Sequence, residues 1–174
     1  MQAYALRRDA ELEGSVRPLL LMEYCSGGDL FELVINVMRT HQSCLYNYDL
    51  YLLKRIFRQV CLGVNSLHTK ANHAHLDIKA ENVLLDEDKN AKLCDLCWAH
   101  PLDVECEREL GTVNYKAPEV LGLEICETFN PLKADIFSLG VLLFITSFGQ
   151  FPWVYPTDVS KPGAKTDLFF TKHK

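Results

Sequence analysis

Apolar residues recur at three- and four-residue steps between residues 50 and 67, and this is the strongest periodic signal in the sequence. The set comprises Leu50, Leu53, Ile56, Phe57, Val60, Val64 and Leu67. This spacing places one apolar stripe along a helix, and the stripe has to be buried. A second apolar run, residues 136–145, is about half as long as a bilayer-spanning helix. It predicts a buried helix, and 174 residues of which 48% are hydrophobic suffice for one domain.

The sequence before residue 50 predicts one strand and one helix. The short apolar run RPLLLMEY, residues 17–24, ends at a Cys-Ser-Gly-Gly turn, as a buried strand would. Asp29 can cap the helix that follows, whose apolar positions are Leu30, Phe31, Leu33, Val34 and Val37. We expect a polar loop over residues 41–47. The first 17 residues show no clear period, and we expect them to be weakly structured or helical.

The stretch HLDIKAENVLLDEDKNAKLCDL predicts a small β-hairpin. Two short strands, VLL and KLC, flank the polar turn DEDKN. Asp77 and Asn82 precede the first strand and Asp95 follows the second, so the hairpin should bring three oxygen-bearing side chains to one end. Such a set suits a hard cation such as magnesium. Taken singly, each residue is more often an ordinary turn or cap residue than a metal ligand, and it is their common spacing that favours the metal site.

Charge and cysteine content restrict the function classes. A net charge of -5 gives no basic surface for nucleic acid or anionic membranes. The N-terminal residues lack the apolar run of a signal peptide, so a cytoplasmic location is expected. Seven cysteines, an odd number, are then expected to be reduced thiols. Cys94 and Cys97 have the CxxC spacing of zinc and redox sites, but no second ligand pair matches it.

Five motifs in order resemble the protein kinase family, from about residue 17 to residue 153. HLDIKAEN resembles the catalytic loop, DLC the magnesium-binding DFG motif, and GTVNYKAPE the end of the activation segment. DIFSLG is similar to the buried helix that braces the catalytic loop, and MEYCSGGDL to the hinge. The resemblance implies an α+β, mostly α fold: a kinase-like large lobe with a small β-hairpin. Residues 1–16 remain a poorly defined segment and residues 154–174 an uncertain tail.

The resemblance also implies residue roles. Asp77 would be the catalytic base, and Lys79 would neutralise charge on the transferred phosphate. Asn82 and Asp95 would hold Mg2+. ATP would be bound by the hinge and its surroundings, at Met22, Glu23, Cys25, Asp29, Glu81 and Leu84. Supporting positions are His75, Thr112, Glu119 and Asp135, and Lys79 with Thr112 is the serine/threonine pattern.

Several departures from the family pattern bear on activity. Residues 1–22 contain one glycine, Gly14, and no lysine. A glycine-rich lid and a phosphate-binding strand lysine are therefore missing from them, and Glu119 lacks its usual arginine partner, so we expect a truncated domain. Leu76 replaces the arginine that receives a phosphate, and residues 98–110 contain no Ser, Thr or Tyr. Cys97 replaces a glycine, which should restrict the backbone beside Asp95.

Three functions remain open at the level of sequence. The first is a serine/threonine kinase-like domain that uses ATP and Mg2+ on a protein substrate, although these 174 residues alone are expected to be inactive. The second is a pseudokinase-like module that binds a protein partner over the surface that a small lobe would cover, with any nucleotide being structural. The third is a helical domain with zinc or redox chemistry at Cys94 and Cys97.

Overall fold

The computed structural model describes residues 3–12, 15–104, 106, 110–121 and 128–153, with backbone only before residue 19. The predicted tail, residues 154–174, lies outside the described residues. Two 3-10 turns, Ala80–Asn82 and Val113–Tyr115, accompany the strands and helices. In chain order the strands and helices are β1 (Ala3–Leu12), β2 (Ser15–Met22), α1 (Leu30–His41), α2 (Leu45–Tyr48), α3 (Leu50–Lys70), β3 (His73–Ala74), β4 (Val83–Leu85), β5 (Ala91–Leu93), β6 (His100–Pro101) and α4 (Pro131–Phe148).

The main core forms where α1, α3 and α4 pack together beneath the β4–β5 hairpin. On α3, the predicted stripe is buried at Leu53, Ile56, Val60 and Val64. The residues that meet it include Leu142, whose side chain is fully buried. The predicted mostly α, α+β fold is therefore confirmed, and burial of the α3 stripe accounts for the periodicity in the sequence.

Helix α4 is capped at both ends. Asn130 accepts a hydrogen bond from the Lys133 N–H at 3.2 Å, and Pro131 occupies the first turn, where its missing N–H costs nothing. Gly149 ends the helix with φ 70° and donates to the carbonyl of Ile145 at 2.7 Å. By length and composition α4 could cross a membrane, but 56% of it is buried inside the protein, as in a core helix.

The predicted hairpin is formed by β4 and β5, with Val83 opposite Leu93. The hinge is hydrogen-bonded to this hairpin: Gly27 donates to the carbonyl of Leu85 at 2.8 Å, and Leu85 donates to the carbonyl of Gly28 at 2.8 Å. A Cβ at position 27 would lie 2.4 Å from the carbonyl oxygen of Asp86, so this close approach requires glycine. The hairpin and the hinge are thus fastened to each other.

Three local expectations were wrong. The strand predicted over residues 17–24 overlaps β2 but is not buried, since Leu19, Leu20, Leu21 and Met22 are between 42% and 56% exposed. Ala3–Leu12 forms β1, antiparallel to β2, and β2 begins at Ser15. Charged residues in β1 hide the alternation that would mark a strand, and its conformation comes from pairing with β2 rather than from its own pattern. The predicted loop over residues 41–47 contains the start of α2, because the side chain of Leu45 is completely buried in the core.

A pair of adjacent leucines on α4 tests the position of the core. We expect Leu142→Ala to lower the free energy of unfolding by about 2–5 kcal/mol, because it leaves a cavity at a fully buried site. Leu143→Ala, in the same helix but 38% exposed, should cost less than about 1 kcal/mol. Urea denaturation followed by circular dichroism measures both. Equal losses would contradict this packing.

Candidate active site

A buried carboxylate on α4 organises the loop that carries the predicted catalytic residues. Asp135 is completely buried, and its two oxygens accept hydrogen bonds from the backbone N–H groups of His75 and Leu76, each at 2.8 Å. Two backbone donors are therefore satisfied by one side chain 59 and 60 residues away in sequence. Because an unpaired buried donor is costly, this contact fixes the start of the loop onto α4.

His68 makes a contact with Asp135 that the sequence analysis did not predict. Its Nε2 lies 2.7 Å from Oδ2 of Asp135, near the end of α3. The contact makes Asp135 the meeting point of α3, α4 and the catalytic loop. The only sequence signal was a polar residue next to the apolar stripe of α3, which gave no reason to single it out.

Four predicted site residues are brought together at Asp77. Oδ1 of Asp77 accepts a hydrogen bond from the Thr112 hydroxyl at 2.6 Å, and Oδ2 lies 2.8 Å from Nζ of Lys79. Lys79 also donates to the Thr112 oxygen at 2.9 Å, which closes a three-membered network. Asn82 completes the group through Nδ2, which donates to Oδ2 and to the carbonyl of Asp77 at 3.0 and 2.8 Å.

This network determines the protonation state of Asp77. Burial by itself raises the pKa of the carboxyl group, but hydrogen bonds from Lys79, Thr112 and Asn82 and the positive charge of Lys79 outweigh it. The pKa is consequently held below its usual value, and Asp77 is ionised at neutral pH. An ionised carboxylate can orient a substrate hydroxyl and accept its proton as a bond forms.

His75 lies beneath the site and is completely buried. Its Nδ1 accepts from the N–H of Asp77 at 3.3 Å, and its Nε2 lies 3.0 Å from the carbonyl of Cys94. An acceptor at Nδ1 leaves the proton on Nε2, where it can be donated to Cys94. His75 therefore connects the loop of Asp77 with the segment that carries Asp95.

Asn82 and Asp95 lie at the open end of the hairpin, as the sequence predicts. The N–H of Cys94 donates to the carbonyl of Asn82 at 3.0 Å, which ties the two segments together. Asn82 uses Nδ2 for its hydrogen bonds and leaves Oδ1 as an acceptor. Asp95 is exposed, and its Oδ1 accepts from the N–H of Cys97 at 3.3 Å. An amide and a carboxylate oxygen fit the ligand preference of Mg2+.

The restriction expected at Cys97 concerns movement of the backbone beside Asp95 and stays a prediction. The left-handed conformation falls on Asp95, with φ 62°, while Cys97 lies outside that region. Asp and Asn adopt this region more readily than most other residues because they can bond locally, and Asp95 does so to Cys97. The Cβ of Cys97 is therefore accommodated without strain of that kind.

A cavity of about 570 Å3 adjoins Asp95. Met22 and Leu84, two of the predicted ATP-site residues, line it. The other lining residues are mostly apolar: Leu20, Leu93, Cys94, Leu96 and Cys97. Apolar walls with one carboxylate at the edge suit a flat heterocycle that carries a charged group.

The remaining predicted nucleotide-binding residues do not line this cavity. Glu23 forms an ion pair with Lys92 of β5 at 2.5 Å, which holds the hinge against the hairpin. Asp29 caps α1 by accepting from the Glu32 N–H at 2.8 Å, as predicted, and Glu81 is exposed. The predicted adenine contacts of Glu23 and Cys25 involve backbone groups, and with the predicted ribose contact of Asp29 they stay predictions.

Thiol chemistry at Cys94 is disfavoured. Burial, with a smaller contribution from the charge of Asp95, raises the pKa of Cys94 to about 11, so the thiol stays protonated at neutral pH. Within the described residues, no group of three or more His, Cys, Asp or Glu side chains could hold a metal ion.

Glu119 is half-buried, and it forms no ion pair with another described residue.

The comparisons with known proteins agree with this geometry. A family profile described as protein kinase domain matches residues 10–169, a wider span than the predicted 17–153. The chain is 36% identical over 160 residues to a probable serine/threonine-protein kinase of Dictyostelium discoideum, which covers 85% of the chain and 10% of that protein. The chain is 34% identical to serine/threonine-protein kinase CHK1 of Saccharomyces cerevisiae, and the match covers 79% of the chain and 25% of that protein. It is also 34% identical to serine/threonine-protein kinase grp of Drosophila melanogaster, where the match covers 83% of the chain and 27% of that protein. The chain thus spans about a quarter or less of the length of these relatives.

The lowered pKa of Asp77 predicts how stability depends on pH. A carboxyl group with a lowered folded-state pKa stabilises the fold above its unfolded pKa, here near 3.8, and that contribution is lost as the pH falls through the folded value. We expect Asp77→Asn to reduce stability at neutral pH. The difference from the parent chain should shrink below about pH 4. Denaturant titrations at several pH values measure this, and a difference that grows in acid would contradict it.

Proposed function

The chain belongs to the protein kinase family, and on this premise we propose that its site serves phosphoryl transfer from ATP to a serine or threonine hydroxyl of a protein. The observation that carries the proposal is the network at Asp77, in which one ionised carboxylate is bonded to Lys79, Thr112 and Asn82. Phosphoryl transfer needs little covalent chemistry from the protein. It depends on positioning and on charge stabilisation, and this network supplies both.

Each residue of the network has a distinct task in the proposed reaction. Asp77 orients the substrate hydroxyl and accepts its proton as the new oxygen–phosphorus bond forms, while the bond between the γ-phosphorus of ATP and its bridging oxygen breaks and ADP leaves. Lys79 lies 2.8 Å from Asp77 and places a positive charge where negative charge develops on the transferred group. Thr112 fixes the carboxylate through its hydroxyl, and the resemblance connects this residue with serine/threonine specificity.

Asn82 and Asp95 are the residues that would hold magnesium. When bound, the ion neutralises charge on the ATP phosphates and so favours transfer. The contribution of the chain is to present an amide oxygen and a carboxylate oxygen at the same end of the hairpin, beside the cavity lined by Met22 and Leu84.

The phosphate clamp is the part of the reaction that residues 1–22 do not provide. They contain no lysine, and the first lysine of the chain is Lys54. We therefore propose that ATP binds through the hinge, the cavity and Asp95, and that efficient transfer requires phosphate-binding groups from elsewhere. A purely non-catalytic binding role is less favoured, because Asp77, Lys79, Asn82 and Asp95 are all present and the relatives named above are serine/threonine kinases.

Binding of Mg-ATP to the purified chain tests the proposal. ATP at a hundred times its dissociation constant should stabilise the fold by about 2.7 kcal/mol. For a domain of this size, that corresponds to a rise in melting temperature of about 5–10 °C. Asp95→Asn should abolish most of the rise, because it removes a magnesium ligand.

Asp77→Asn is the matched control, since it alters the proposed base and leaves the hinge and the cavity intact. This variant should retain the shift while losing any transfer to a peptide substrate. A folded parent chain that shows no shift with Mg-ATP would overturn ATP binding. An equal shift in the parent chain and in Asp95→Asn would overturn the assignment of the magnesium ligand.

A further inference from the structure

The segment between Asp95 and Ala117, here called the activation segment, is fastened to the rest of the fold at several points. Its strand β6 pairs with β3, where Ala74 lies opposite His100. The N–H of Leu102 donates to the carbonyl of Asn72 at 3.0 Å. Farther along, Cys106 forms a β-bridge with Phe129. These contacts are made by backbone or apolar groups, and a side-chain hydrogen bond from Nδ2 of Asn72 to Oδ1 of Asp103 at 3.4 Å lies beside them.

Leu76 lies where these attachments converge. Its side chain is 8% exposed and belongs to a second apolar cluster, separate from the main core. Two residues of the activation segment, Leu102 and Leu110, pack against this cluster. Its other members are Ala74, Cys106, Ala117, Val120, Phe129 and Ala134, with Phe137 packed against them.

The backbone of Leu76 shows that its position is imposed. It has φ 59°, a left-handed conformation that is costly for a bulky residue and persists only where surrounding contacts enforce it. Its N–H is held by Asp135 at 2.8 Å. Its carbonyl faces Gly111, where a Cβ would lie within 2.1 Å of the carbonyl oxygen. Gly111, which precedes Thr112, is therefore packed directly onto Leu76.

We propose that Leu76 is a positioning residue: its apolar contacts hold the activation segment against the catalytic loop, so that Thr112 stays bonded to Asp77 and Lys79. The proposal deepens the proposed kinase function and rests on it. The contacts of Leu76, Leu102 and Leu110 in this cluster are apolar, so they do not depend on a phosphate added to residues 98–110.

The chemistry of the segment agrees with this arrangement. Residues 98–110 contain no Ser, Thr or Tyr, so no hydroxyl is present there to receive a phosphate. The same residues include Asp103, Glu105, Glu107 and Glu109. A leucine at position 76 offers no positive charge to such groups, but it can bury apolar area against Leu110 and Cys106, and that attraction is insensitive to salt.

Hydrogen exchange on the 174-residue chain tests the proposal without relying on nucleotide or activity. The reporters are the amides of Leu102, Tyr115 and Lys116, which donate to Asn72, Thr112 and Val113. We expect Leu76→Ala to speed their exchange at least about tenfold, a loss of about 1.4 kcal/mol of local protection. The amide of Cys94, bonded to Asn82 in the hairpin, should change much less.

Two further variants separate positioning from general stability. Leu76→Met keeps apolar bulk and should restore slow exchange at the reporter amides. Leu45→Ala removes an equally apolar, fully buried side chain from the main core, and should speed exchange throughout the chain without preference for the segment. Unchanged exchange in Leu76→Ala, or a rise shared equally by Cys94, would overturn the proposal. Failure of the proposed function would instead appear as a missing Mg-ATP shift.

Discussion

The buried carboxylate of Asp135 is the contact on which the site depends. It lies on α4, the helix at the centre of the main core, and it holds the backbone of His75 and Leu76 while His68 approaches it from α3. Charges are seldom fully buried unless donors surround them, and here three donor groups converge. The position of Asp77, two residues after His75, is consequently determined by packing of the core. Catalytic geometry and fold stability are joined at one side chain.

Hydrogen bonds also set the electrostatics of the site. Asp77 is largely buried, which alone would favour its neutral form, yet Lys79, Thr112 and Asn82 keep it ionised. The same lysine thereby has two tasks, since it stabilises the carboxylate at rest and would stabilise the transferred group during reaction. Because Lys79 and Thr112 also contact each other, displacement of the activation segment would alter the charge balance of Asp77 as well as its orientation.

Much of the fold could be predicted from local patterns. The stripe of α3, the apolar run in α4 and the polar turn between β4 and β5 each carry their own periodicity or turn chemistry, and the structure contains all three. The convergence of Asp77 and Asn82 followed from their positions before the hairpin. What could not be predicted depends on distant partners: β1 is charged and becomes a strand by pairing with β2. The contact between His68 and Asp135 joins residues 67 positions apart and has no local signature.

The left-handed backbone of Asp95 has a consequence for the evolution of this chain. At φ 62° a glycine would relieve steric cost at no loss of packing, because the side chain is exposed. Laboratory selection for heat resistance alone would therefore favour Gly at position 95 and discard the carboxylate. Selection for phosphoryl transfer would instead retain the aspartate for what its oxygens bind, at a cost in thermal robustness. Replacement frequencies at this position in a mutational library would separate the two pressures.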